Sequence, residues 1–195
     1  MNQILTKNQF FVKEHVGMFK AANSYDILDL ESQQPLLECR EPKLGFFTKM
    51  FRFTKYKTQT PFDIEVKDGV GQDVLRLTRG VSLFRSTVQV FDGNQALVGS
   101  FRQHVLSFGG KLDVLDGGGR VICTVEGKVT SFNYKFLRDG EQIALVTKKW
   151  MGLGKELFTS ADNYVINIEP TVAATDAIRS MIVAAALCID MVFAE

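Results

Sequence analysis

Cysteine and histidine are scarce in this chain. Its three cysteines, Cys39, Cys123 and Cys188, are scattered through 195 residues. Their odd number and wide spacing argue against a disulfide framework and fit a reducing compartment without a thiolate metal cluster. Its two histidines, His15 and His104, lie far apart and in no metal or nucleophile motif. An excess of either charge is also missing: 23 basic residues face 22 acidic ones. No global field therefore points to nucleic acid or to an acidic substrate. The opening MNQILTKNQFFVKEH has no apolar signal core and no cleavage-site pattern, which predicts a cytoplasmic protein. Gly152-x-Gly154-Lys155 lacks the spacing and the following Ser or Thr of a phosphate loop. Gly117-Gly118-Gly119 precedes no helix and is a hairpin tip, not a dinucleotide fingerprint. No catalytic residue set emerges, so the chain is expected to be no enzyme and to need no cofactor.

What the chain has in quantity is phenylalanine and glycine, sixteen of each. Bulky aromatics with frequent glycine turns suit many short strands better than a helical bundle. Phe10-Phe11-Val12 reads as a first strand. A strand–turn–strand unit then recurs: Ser24 to Leu30 with Leu36 to Arg40, and Phe62 to Lys67 with Asp73 to Thr78. Thr87 to Phe91 with Ala96 to Phe101, Lys111 to Leu115 with Val121 to Glu126, and Phe132 to Leu137 with Gln142 to Thr147 continue it. Four of the five turns carry Asp-Gly, the pair that accepts positive φ in a type I′ loop. Alternating runs such as Phe62-x-Ile64-x-Val66 imply one buried and one wet face. With a last strand at Tyr164 to Ile168, about twelve antiparallel strands result. A mainly β chain of this kind favours a closed barrel, which removes sheet edges; a two-sheet sandwich is the alternative. Residues 1–195 are expected to form one domain.

Twelve strands enclose more space than their own side chains fill. The segment DAIRSMIVAAALCIDMVFAE, from Asp176 to Glu195, is the candidate filling. A helix over 176–194, apolar on every side, must be wrapped in protein or placed in lipid. Its apolar part, Met181 to Ala194, is about 21 Å long at 1.5 Å per residue, against roughly 30 Å of hydrocarbon. Asp190 inside it would cost about 2.5–3.5 kcal/mol in a bilayer. The expectation is a helix through the barrel, with Met181, Ala185, Ile189 and Asp190 as core positions.

Lys149-Trp150-Met151-Gly152, Phe158-Thr159-Ser160-Ala161-Asp162-Asn163-Tyr164 and the terminal Cys188-Ile189-Asp190-Met191-Val192-Phe193-Ala194-Glu195 resemble the end of the phospholipid scramblases. The likeness extends upstream through the Asp-Gly hairpins to about Pro61. It implies the Tubby C-terminal-like fold, a twelve-stranded barrel around a central helix that the plant LURP-one-related proteins share. It also implies membrane association and, for some members, calcium-triggered movement of phospholipids between leaflets. The family's calcium segment is degenerate here. Ser160 stands where the family has aspartate, Val165 where it has glycine, and Thr171 and Ala173 near two further aspartates. Only Asp162 and Asn163 keep oxygen ligands, with Glu169 nearby, whereas calcium takes six to eight oxygens. The proline-rich arm and palmitoylated cysteines of animal scramblases have no counterpart, which removes a second anchor.

The most unusual local composition is KLGFFTKMFRFTKYK, residues 43–57. Lys43, Lys49, Arg52, Lys55 and Lys57 occur with no acid among them, interleaved with Phe46, Phe47, Phe51, Phe53 and Tyr56. Basic residues attract anionic headgroups and aromatics settle at the interface, so Phe47 and Phe51 join the cations as candidate lipid contacts. The plainer alternative packs the aromatics on the barrel and leaves the lysines in water. Together these features predict a cytoplasmic protein, peripheral at the inner face of the plasma membrane. Its partners would be anionic phospholipids or phosphoinositides. The alternative is a soluble LURP-one-like structural or protein-interaction module with no lipid translocation.

Overall fold

Turn chemistry sets the fold, and its Asp-Gly turns are of two kinds. At Asp139-Gly140 both residues have positive φ, 53° and 85°, the expected type I′ loop. At Asp68, Asp92 and Asp116 the left-handed residue comes three positions later, at Gly71, Gln95 and Gly119. There the aspartate ends its strand and its Oδ1 accepts two later amides. Asp92 takes those of Asn94 and Ala96, each at 2.9 Å, and Asp68 and Asp116 repeat the pattern. The type I′ expectation therefore fails at three turns, because the carboxylate closes them and the left-handed position falls three residues on and not at the glycine after the aspartate. Glycine after Asp92 and Asp116 answers to crowding. A methyl on Gly93 would run into the Asp73 carbonyl, and one on Gly117 would come within 2.8 Å of the Leu97 carbonyl.

The computed structural model describes residues 2–15, 22–42, 45, 48, 50, 60–81, 87–103, 110–128, 131–148 and 163–193, without the side chains of 190–193. Twelve strands follow one another: β1 (Gln9–Glu14), β2 (Ser24–Asp29), β3 (Pro35–Arg40), β4 (Phe62–Asp68), β5 (Asp73–Arg79) and β6 (Thr87–Asp92). The rest are β7 (Leu97–Gln103), β8 (Lys111–Asp116), β9 (Val121–Lys128), β10 (Asn133–Arg138), β11 (Glu141–Thr147) and β12 (Asn163–Ile168). Each pairs antiparallel with its chain neighbours, and β1 closes the ring against β12 as well as β2. It is a closed barrel, not a sandwich. Each of the five hairpins carries one register shift near its tip, for example between Val66 and Lys67. Bulges of this kind add twist and help a sheet curl shut. The broken alternation in β5, where neighbouring Val74 and Leu75 are both buried, lies beside one of them.

Alternation sends Phe10, Tyr25, Ile64, Val90, Phe136 and Ile166 inward, all fully buried. The outer face is wet. It carries cross-strand ion pairs: Arg76–Asp63 at 2.7 Å, Arg102–Asp113 at 3.1 Å and Lys111–Glu126 at 2.6 Å. A barrel that crosses a bilayer shows the opposite arrangement, an apolar band outside.

Helix α1 (Ile178–Phe193) fills the interior. Its start is marked by Asp176, whose Oδ1 accepts the Ile178 amide at 3.0 Å, a cap residue rather than a helical one. Met181 is 1% exposed, and Ile182 to Ile189 are completely buried. Ala184-Ala185-Ala186 gives the helix a narrow waist. Gly99 on β7 leaves room for the Met181 sulfur, which a methyl there would meet at 3.1 Å. Tyr164 on β12 donates its hydroxyl to the Ala186 carbonyl at 3.1 Å, a cross-link from wall to core. Among the described residues no helix is long and apolar enough to cross a membrane.

Candidate functional site

Strand direction gives the barrel two unlike ends. The five hairpin tips share one end with residues 2–8 and the segment 169–177 that leads into α1. At this end the guanidinium of Arg179, on a residue 1% exposed, forms a plug. Nε donates to the Leu5 carbonyl at 2.9 Å, Nη1 to Val172 at 2.9 Å, and Nη2 to Thr6, Lys7 and the Asn8 side chain at 2.5–3.0 Å. Its ligands are neutral oxygens, and burial pulls its pKa down while Asp176 opposes the shift. In the sequence, the signal for this role is the place of Arg179 on the last polar turn before an unbroken apolar run.

The tips themselves are acidic. Asp68, Asp92 and Asp116 cap their turns, and Glu31, Asp139, Glu141 and Glu169 lie beside them. Apart from Arg179, three cations at this end pair with carboxylates: Lys7 with Asp29 at 2.7 Å, Arg120 with Asp116 at 2.8 Å, and Arg138 with Asp176 at 2.9 Å. Asp29 has its carboxyl held well below the usual range, first by Lys7 and then by the Ser32 amide.

The opposite end receives every longer connection, because β3 finishes there and β4 starts there. A cavity of about 380 Å³ opens between the ends of β4 and β5, reached by Glu41, Gly45, Thr48 and Arg79. Arg79, 4% exposed, donates through Nη2 to the Thr60 carbonyl at 2.6 Å and lies 4.7 Å from the Phe62 ring centre. Farther round the rim Lys148 sits 4.3 Å above the ring of Phe132, which packs on Tyr134 and Tyr164. His15 meets Asp26 at 2.6 Å, and Arg40 holds the same carboxylate at 2.6 Å. Burial would raise the Asp26 pKa, but the Arg40 and His15 hydrogen bonds outweigh it and the net shift is downward. Burial raises all three thiols, Cys123 to about 12, so none is a poised nucleophile.

Met181, Ala185 and Ile189 lie in the barrel core. Asp190 falls within α1, with its side chain outside the described residues. Lys43, Lys49, Arg52, Lys55, Lys57, Phe47, Phe51 and Asp162 also lie outside them, but Gly45 and Thr48 line the cavity beside Arg79. Asn163 opens β12, paired in register with Lys13. Glu169 follows the far end of the same strand, roughly 20 Å away at about 3.3 Å per residue. Asn163 and Glu169 therefore cannot ligate one ion, which corrects the expected proximity of Glu169. Among the described residues no three His, Cys, Asp or Glu are grouped to hold a metal; Asp162 lies outside them.

A twelve-stranded meander closed around a buried C-terminal helix defines the class of protein. The Scramblase family matches the chain over residues 1–195, and the chain belongs to that family. A solved structure with a similar fold is the X-ray structure of a protein from Arabidopsis thaliana. It is 16% identical with a TM-score of 0.57, over 94% of this chain and 90% of that one. No curated protein matches the chain.

Proposed function

We propose that this scramblase-family barrel binds anionic phospholipid surfaces peripherally, at the inner face of the plasma membrane, through the end opposite its hairpin tips. The observation that carries the reading is the division of charge between the ends. The tip end is lined by carboxylates whose neighbouring cations are already paired. The β3–β4 connection, anchored at the other end by Arg40 and Phe62, carries the five cations of the 43–57 run without one acid. Such a dipole orients the barrel with its basic end toward an anionic surface before contact. Each cation then contributes about 1 kcal/mol near the headgroups, while Phe47, Phe51 and neighbouring aromatics supply interfacial apolar area. Phosphoinositides, with their higher charge, are the favoured ligands within this class.

Movement of lipid between leaflets is a separate activity. The wet outer face and the buried α1 favour peripheral contact over spanning, and they keep the alternative of a protein-interaction module in play. Flotation separates the two. Protein mixed with phosphatidylserine vesicles is expected to float at low salt and to be released at high salt, as screened charges require. K49Q/R52Q/K55Q is expected to weaken partitioning on the order of 100-fold, the sum of about 1 kcal/mol per charge. Failure of the natural chain to float at low salt would sink the proposal.

A further inference from the structure

The hairpin-tip end carries a second surface whose composition the fold does not require. The hairpins β4–β5, β6–β7 and β8–β9 repeat one turn, beginning at Asp68, Asp92 and Asp116. Two residues after the aspartate stand Val70, Asn94 and Gly118; five residues after it stand Asp73, Leu97 and Val121. Polar or small residues therefore serve equally well at both positions of this turn. Yet Val70 is 82% exposed, Leu97 43% and Val121 50%. A β-branched side chain in water at a turn tip stabilises nothing locally.

These side chains lie on neighbouring hairpins that touch, Gly93 against Asp73 and Gly117 against Leu97. Leu97 and Val121 open successive return strands, two strand spacings or about 10 Å apart, and Val70 lies in the turn of the adjoining β4–β5 hairpin. Around them are the carboxylates of Asp68, Asp92, Asp139 and Glu141, none of which is ion-paired among the described residues. The local cations are spent: Lys67 on Glu65 at 3.0 Å and Arg120 on Asp116. An apolar strip inside an acidic rim repels anionic lipid and complements a basic chain bearing apolar side chains.

We propose that the β4–β11 hairpin tips form a docking surface for a cationic protein segment that carries apolar side chains, with Val70, Leu97 and Val121 as apolar contacts and Asp68, Asp92, Asp139 and Glu141 as charge partners. The surface is independent of the lipid reading, because it occupies the other end of the barrel. The probe is a fluorescent lysine–leucine peptide titrated with the full-length chain and followed by anisotropy. Glutamate–leucine and lysine–serine peptides serve as controls. The lysine–leucine peptide is expected to bind at least about tenfold more tightly than either control. V70N/L97D/V121D, which places residues of the kind found in the sister hairpins at these positions, is expected to fold normally and to lose about tenfold in affinity. D92N/E141Q is expected to lower both affinity and its salt dependence. Equal binding of all three peptides, or unchanged binding by the triple variant with an intact melting transition, overturns the proposal. Concentration-dependent self-association abolished by the triple variant also overturns it, in favour of a second copy as the occupant.

Discussion

Arg179 shows how one side chain joins both termini of the chain. Its donors satisfy the carbonyls of Leu5 and Val172 in buried hydrogen bonds and those of Thr6 and Lys7 in part-buried ones, and a buried carbonyl left without a donor is costly. Arg179→Met keeps most of the volume and strands those oxygens. The expected cost is about 3 kcal/mol or more, since each unsatisfied buried group costs roughly 1–3 kcal/mol; chemical denaturation measures it. Asp176 has a depressed pKa. Burial raises it, but Arg138 and the Ile178 amide lower it further. A carboxylate with a lowered folded pKa contributes stability above its unfolded value of 3.8. That contribution disappears as pH falls through the lower folded value. Melting curves between pH 6 and pH 2, the range about those values, are expected to show an acid destabilisation that Asp176→Asn reduces. An Asp176→Asn protein with the same pH profile as the natural chain would remove Asp176 from the account.

At the scale of elements, the turns and the helix waist make separable predictions. Asp92→Ala removes the one side-chain oxygen that accepts two amides in the β6–β7 turn and is expected to cost about 1–2 kcal/mol. Gly140→Ala strains a residue at φ 85° and is expected to cost about 1 kcal/mol. Ala185→Leu adds volume where the helix is narrowest and is expected to cost about 1–3 kcal/mol or more by overpacking. Thermal melting of the three variants checks all of these. Strand positions were legible because alternation and turn residues are local signals: Phe62-x-Ile64-x-Val66 and the Asp-Gly pairs place β4 and four tips directly. Turn type was not, because Asp92 closes its loop with a side-chain bond that resembles the type I′ signature in sequence. The helix was readable from its all-round apolarity, although Asp176 belongs to its cap. Arg179's five partners come from residues more than 170 positions away or across a loop, and nothing local encodes them. The same holds for the division of charge between the ends, which emerges only once strand directions are known.

For the whole molecule, the scramblase family supplies the class and the barrel supplies a constraint on mechanism. An outer face laced with ion pairs and an interior occupied by α1 accord with the proposal that contacts fall to the ends of the barrel, the basic one for lipid and the acidic one for protein. In that arrangement α1 stays inside while the barrel is on a membrane. Hydrogen exchange of the amides from Ile178 to Ile189, without detergent and then on phosphatidylserine vesicles, tests this most directly. These amides are expected to exchange among the slowest in the molecule, near the global unfolding limit, and to remain so when the protein is bound. Fast exchange in the free protein, or protection lost on vesicle binding, would mean that the helix leaves the barrel and would contradict its role as the fixed core.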